Sequence, residues 1–319
     1  EITFTDWLKM NISSNANLGL TNGSNYDNML YGGAVSVNGR LVKSQSNTLR
    51  TNNSQTLNFH KLFGRHDVDV MAGHEYYRQK TRYLDGTSSG GFSPSILELN
   101  AFAKVEDNNS YTTFYNVEGW FGRALYNYQE KYFASASYRR DASSRFSKKD
   151  GKWWGDFWSL GAAWAIHKEP WFKVDWLNNL KLKVSIGQQG NDNVGNYYYT
   201  NLYTLTKASD TQMAPTFSLL GNPNLTWETT TNFNVGVEFG ILNNLVSGSL
   251  DVYNKKISDM LFWLSMPESV GTRGYYGNIG DMRNRGFELN LTVNPIRTRD
   301  INWTISGSIS HNSTKILKL

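Results

Sequence analysis

Residues 120–164 read WFGRALYNYQEKYFASASYRRDASSRFSKKDGKWWGDFWSLGAAW. Within YFASASYRR, Tyr132, Ala134, Ala136 and Tyr138 fall on one side of an extended chain, and Phe133, Ser135, Ser137 and Arg139 on the other. A period of two is the strand signature, because successive side chains of an extended chain point to opposite faces. Segment 127–131 is a short turn, whereas 141–155 is long, charged and carries Trp153 and Trp154. The stretch reads as strand, tight turn, strand, open loop, strand.

The same unit recurs in both directions. Upstream, Met10, Ile12, Ala16, Leu18 and Leu20 alternate with polar partners, and Val68, Val70, Ala72, His74 and Tyr76 follow the turn at 62–66. Downstream, the alternating sets are Leu180, Leu182, Val184, Ile186; then Phe233, Val235, Val237, Phe239; then Phe287, Leu289, Leu291, Val293. Short turns at 241–244 and 295–300 alternate with long polar segments at 21–47, 83–112, 189–228 and 257–282. About eleven strands are expected, joined by connections that are short at one end and long at the other.

Composition agrees. The 319 residues are 39% hydrophobic and only 18% charged, yet 14% aromatic, with 28 Gly against 6 Pro. A chain poor in both aliphatics and charge, and rich in aromatics, Asn, Ser and Gly, fits an all-β protein rather than a helical or α/β enzyme. With no Cys, disulfides, thiolate metal sites and Cys nucleophiles are excluded. The net charge of +5 is scattered rather than gathered into runs, which argues against a nucleic-acid partner. No segment approaches the apolar length of a transmembrane helix, a fact that leaves membrane β-strands untouched. The first ten residues, EITFTDWLKM, carry no signal-peptide pattern, and the last ones read as an unfinished strand. The expectation is an internal piece of a longer protein.

Two architectures present one apolar face. In a soluble β-sandwich, two such faces pack on each other, and loop tryptophans would serve a glycan-binding module. In an antiparallel transmembrane β-barrel, the apolar face meets lipid and the polar face lines a wet lumen, with short turns on one side and long loops on the other. The one-sided rhythm favours the barrel. Tyr126, Tyr128, Tyr132, Trp158, Trp171 and Trp176 near strand ends suit an interfacial girdle.

Several blocks carry a family resemblance: GRALYNYQEKYFASASYRRDASSRF followed by WSLGAAW, LKLKVSIGQQGNDNVGNY, GNPNLTWETTTNFNVGVEFG, and DVYNKKISDMLF with GYYGNIGDMRNRGFELNL. In this order they resemble the barrel of the SusC/RagA family of TonB-dependent outer-membrane transporters, over roughly residues 57–319. The resemblance implies a barrel of about 22 strands, of which residues 1–319 would supply about half, with the plug outside this sequence and no separate second domain. It further implies import of large nutrients (oligosaccharides or peptides), energy from the TonB complex through an N-terminal region not in this sequence, and a SusD-like surface lipoprotein as lid. It implies contact with outer-membrane lipid and lipopolysaccharide, and pairing of transporter–lipoprotein units as dimers. The implied location is the bacterial outer membrane.

No enzyme chemistry is expected. His66 with Asp67 and His74 with Glu75 bring imidazole near acid, but His74 and Glu75 are adjacent strand residues on opposite faces. Asp192, or Glu106 with Asp107, lack the spaced acids of a calcium loop. No catalytic, metal or cofactor residues are assigned. Arg139, Arg140 and Asp141 read as an ion pair fixing a strand end, with a lipopolysaccharide or substrate contact as the alternative. The candidates for substrate contact are Trp153, Trp154, Tyr197 and Tyr198, whose flat faces suit sugar rings.

Overall fold

A computed structural model describes residues 1–209 and 211–319, with the backbone alone described at 150 and 268. Strands β1 (Ile2–Thr5), β2 (Leu8–Asp27), β3 (Arg40–Phe63), β4 (His66–Gly91), β5 (Phe102–Tyr128) and β6 (Tyr132–Ser143) come first. They are followed by β7 (Trp154–Ala165), β8 (Leu177–Asn191), and a ribbon of β9 (Leu202–Lys207) and β10 (Met213–Leu219). Then come β11 (Glu228–Ile241), β12 (Val246–Ser258), a second ribbon of β13 (Leu261–Ser265) and β14 (Gly274–Asn278), β15 (Asp281–Arg297) and β16 (Asn302–Lys318). Twelve strands, one more than expected, form one sheet in the order β1-β2-β3-β4-β5-β6-β7-β8-β11-β12-β15-β16. The two ribbons, β9–β10 and β13–β14, interrupt neither the order nor the antiparallel pairing.

The short turns sit where the sequence places them. Between β5 and β6, Gln129 and Glu130 both have φ of 55°, and Lys131 N–H donates to the Tyr128 carbonyl at 2.9 Å. Two consecutive positive-φ residues give the twist that a two-residue hairpin needs. The expected long polar segments differ. Residues 21–27 and 40–47 belong to β2 and β3, and 83–91 and 102–112 belong to β4 and β5. A main-chain ladder continues wherever neighbours pair, but here apolar residues such as Leu41 and Phe102 are too sparse to mark the period.

Contacts divide the chain into two compact units, to both of which β2 to β5 contribute. Unit 2, residues 13–54 and 75–117, has a small core of Met29, Ala34, Leu41 and Phe102. Arg40 Nε donates to Glu106 at 2.8 Å, Lys43 pairs with Glu98, and Asn38 donates to the Gly91 carbonyl at 2.9 Å. Tyr83 stacks on Tyr111 with centroids 5.0 Å apart.

Unit 1, residues 1–12, 55–74 and 118–319, contains the segment from β6 to β16. Its register carries apolar residues straight across neighbouring strands. One row runs Ala134, Ala162, Val184, Val235, Val252, Phe287, and another Trp164, Leu182, Val237, Leu250, Leu289, Ile309. Many of these face outward uncovered, including Val184 at 42% and Val252 at 53% exposure. A sandwich would bury that face under a second sheet. This one is built to meet lipid, so the sandwich reading falls.

Beside the short turns lies an aromatic chain: Tyr128, Tyr132, Trp164 and Trp171 follow one another with centroids 6.1–6.3 Å apart. Glu169, in the β7–β8 connection, anchors it. Its buried carboxylate accepts from Tyr132 Oη (2.5 Å), Trp164 Nε1 (3.0 Å) and Lys131 Nζ (3.3 Å). The Tyr132 bond first, then those of Trp164 and Lys131, hold the Glu169 pKa below the usual carboxylate range. A depressed pKa contributes stability that is fully present above the unfolded value, about 4.3, and lost as pH falls through the lower folded value. Glu169→Gln should therefore lower the unfolding temperature of the detergent-purified full-length protein at pH 7, with the gap closing toward pH 3. A gap independent of pH would show that the charge is not the source.

Candidate functional site

The face opposite the lipid-directed one is polar in the same register. One row runs Ser135, Gly161, Ser185, Asn234, Tyr253, Gly286, Asn312, and the next Phe133, Ala163, Lys183, Gly236, Asp251, Glu288, Ser310. Charges of both signs alternate on it. Lys183 lies 2.7 Å from Glu238 and 3.9 Å from Asp251, while Asp69 receives Arg123 at 3.7 Å and His60 at 3.8 Å. A concavity of about 620 Å³ opens here, lined by His60, Asp69, Asn234 and Asp251 together with the apolar Leu125 and Phe133. A hydrated wall with dispersed, mutually neutralised charges suits a large polar solute that must pass without being held.

At the other strand ends, the long connections are tied into a cap. Phe146, Phe157, Val194, Leu225 and Trp227 form a buried cluster, with Trp153, Tyr198, Leu261 and Tyr276 packed around it. Trp227 lies 5.4 Å from Phe146 and 5.3 Å from Phe157, and its Nε1 donates to the Trp153 carbonyl at 3.1 Å. Gly190 is required beneath it, because a Cβ there would run into the Phe157 ring.

Polar side chains bind these connections to each other. Ser143 Oγ donates to Asp192 Oδ2 at 2.6 Å, and Arg145 Nη1 donates to the Asp192 carbonyl at 3.1 Å. Asn278 bridges Thr226 and Asp259, and Glu228 accepts from the Leu261 amide at 3.0 Å. Asp192 is thus an internal clamp. Among the described residues, no group of three or more His, Asp or Glu side chains is placed to hold a metal.

The four aromatic candidates divide. Trp153 packs against the cluster with Lys148 Nζ 4.9 Å from its ring centroid, and Tyr198 stacks on Tyr276 at 5.0 Å. Trp154 is half-buried, lies 5.2 Å from Trp153 and has the Arg140 guanidinium 5.1 Å from its ring. Tyr197 is half-buried with a φ of 70°. Arg139 holds Asp141 through two bonds of 2.6 and 2.7 Å on the polar face, and Arg140 reaches Asp156 at 3.6 Å on the other. His66 shares a 2.7 Å bond with Tyr126 Oη, and His74 lies between Gln55 and Glu118. Phe146, Leu225 and Trp227 were not singled out from sequence. The available signal was Leu225 and Trp227 two residues apart in an otherwise polar segment.

Residues 3–316 match the family described as TonB dependent receptor-like, beta-barrel. The TonB-dependent receptor SusC of Bacteroides thetaiotaomicron is 33% identical over 270 residues, 81% of this chain and 26% of that protein. The TonB-dependent receptor P26 of Formosa agariphila is 31% identical over 306 residues, 92% of this chain and 30% of that protein. Among solved structures, the RagAB peptide transporter superposes with a TM-score of 0.91 at 26% identity, over 100% of this chain and 36% of that one. The outer-membrane transporter YddB of Escherichia coli, at 12% identity and a TM-score of 0.62, shares the fold.

The chain belongs to the TonB-dependent receptor family and represents part of its outer-membrane β-barrel. It spans about a quarter to a third of the length of the curated relatives it matches. The short turns accordingly face the periplasm and the tied cap faces the exterior.

Proposed function

We propose that residues 1–319 form a single stretch of barrel wall in an active importer of large nutrients, oligosaccharide or peptide. TonB supplies the energy, and a SusD-like surface lipoprotein closes the extracellular mouth. The carrying observation is the two-faced sheet: unbroken apolar rows outside, and a hydrated wall of paired charges inside. Likeness to SusC and to the RagAB peptide transporter supports the reading. The β9–β10 ribbon leaves Tyr203, Leu205 and Met213 about 60% exposed on the extracellular side, a surface suited to the lid. Tyr197 is the aromatic contact assigned to solute or lid; Trp153 and Tyr198 hold the cap that presents it, while Trp154 shares the outward face with Arg140. Two transporter–lipoprotein pairs assemble as a dimer.

The test uses the full-length protein in its own outer membrane. Uptake of labelled oligosaccharides and peptides should stop when the TonB-contacting segment is deleted, and a surface lipoprotein should co-purify. Uptake that persists without TonB, or recovery as a soluble periplasmic protein, would overturn the reading.

A further inference from the structure

One face of unit 2 carries an arrangement that strand pairing alone does not require. Tyr77, Gln79, Thr81 and Tyr83 of β4, with Tyr111 and Tyr115 of β5, alternate along their strands and share one side. Tyr83 stacks on Tyr111 with centroids 5.0 Å apart, and Tyr77 meets Tyr115 edge-on at 5.8 Å. From β3, Thr48 Oγ1 lies 3.2 Å from Thr81 Oγ1, and Arg50 Nε donates to Gln79 Oε1 at 3.1 Å. All of these residues belong to unit 2.

The other side of the same strands is different. There Arg78 and Lys80 each lie 5.6 Å from the Phe114 ring centroid, so cations occupy that ring. On the tyrosine side, Tyr111 is 50% exposed and Tyr83 is half-buried, which leaves ring surface open to solvent. Between the two ring pairs runs a chain of neutral groups. Tyr77 Oη donates to Gln79 Oε1 at 3.0 Å, and Gln79 Nε2 donates to Thr81 Oγ1 at 3.5 Å. From Tyr77 to Tyr83 the strand advances about 20 Å, the length of a short oligosaccharide rather than of a single sugar. Along β4 the same alternating series includes Asp69 of the polar face.

A pyranose ring offers a flat C–H face that packs on an aromatic ring, and hydroxyls at its edge that pair with amide and hydroxyl side chains. Two tyrosine pairs with Gln79 and Thr81 between them meet both demands at once. A peptide is served less well. β3, β4 and β5 are interior strands of the sheet, so their main-chain groups are paired and present no edge for strand addition. Arg50 and Glu75, held by Gln79 and Asn52, are opposite in sign, so the face does not call for a charged ligand. We propose that Tyr77, Tyr83, Tyr111 and Tyr115, with Gln79 and Thr81, form a binding track for an extended neutral oligosaccharide. Such a track rests on the importer reading and narrows its cargo from oligosaccharide or peptide to oligosaccharide.

Calorimetric titration of the full-length protein in detergent tests this, with neutral α- and β-linked hexasaccharides and a random hexapeptide pool as probes. At least one hexasaccharide should bind. Tyr83→Ala with Tyr111→Ala should weaken it by about ten-fold, the loss of one stacking contact. Tyr83→Phe with Tyr111→Phe keeps the ring faces and should bind as the unaltered protein does. Gln79→Ala removes no ring and should also weaken binding, which keeps the test open if the alanine pair does not fold. Heat-shifted migration in gels checks folding. No hexasaccharide bound, peptides that displace the hexasaccharide, or unaltered binding by the folded alanine variants would each overturn the assignment. The titration involves no TonB, so its failure leaves TonB-dependent uptake standing, and uptake without TonB would sink the importer reading alone.

Discussion

Trp227→Ala should open the extracellular cap while leaving the sheet folded. Trp227 is 8% exposed, touches Phe146 and Phe157 edge-on or tilted, and fixes residue 153 through its indole N–H. Truncating a buried tryptophan costs about 3–5 kcal/mol through lost burial and the cavity left behind. The sheet does not depend on it, because β7, β8 and β11 remain held by continuous antiparallel ladders. The loss therefore falls on the connections, where local opening is set by their own contacts rather than by global stability. Even ~3 kcal/mol raises the open population by about 100-fold. Trypsin added to intact cells should then cut after Arg145, Lys148, Lys149 or Lys152 far faster than in the unaltered protein. Gel migration of the folded barrel should be unchanged. A trypsin rate equal to that of the parent would show that the cap is held elsewhere.

The same cluster shows where a sequence stops being legible. The membrane half of the chain could be read strand by strand because one face meets lipid and the other water, so residue 184 must be apolar and residue 185 polar. The strand ends were legible too, since short and long connections alternate; the positive φ of Gln129 and Glu130 in the turn read at 127–131 was not, because neither residue is one such a turn favours. Elsewhere that constraint weakens. Residues 83–91 and 102–112 belong to β4 and β5, and although Phe102 is buried in a small core, too few apolar residues alternate there to distinguish strand from loop.

The cap is a still harder case. Its core gathers Phe146, Val194, Leu225 and Trp227 from three connections far apart in sequence, an arrangement no local period records. Trp153 and Tyr198 drew attention as sugar-stacking rings for the same reason that they pack well: a flat apolar surface with a polar edge. Only their neighbours distinguish the two uses. Arg139 and Asp141, by contrast, were readable as a pair because they lie two residues apart on one face of a strand, where each reaches the other.

The assignment of faces is exposed to a sharper test at residues 184 and 185. Val184 sits in the apolar row between Ala162 and Val235, and Ser185 points the other way, in the polar row between Gly161 and Asn234. Arginine at a lipid-facing position near mid-bilayer destabilises a barrel by about 2–4 kcal/mol, whereas a lumen position tolerates it. Val184→Arg should therefore shift the folded-to-unfolded ratio of the full-length protein in vesicles by roughly 30- to 900-fold, read from denaturant titration. Ser185→Arg should shift it little, because the guanidinium stays hydrated and Asp251 lies in the next row of the same face. The two substitutions add the same side chain one residue apart, so strand propensity, net charge and chain entropy largely cancel between them. What remains is the medium each side chain enters. Equal destabilisation would mean that both faces are wet or both are buried. A larger loss at 185 would mean that the wall is inside out, and with it the lumen and the transport reading would both have to be reassigned.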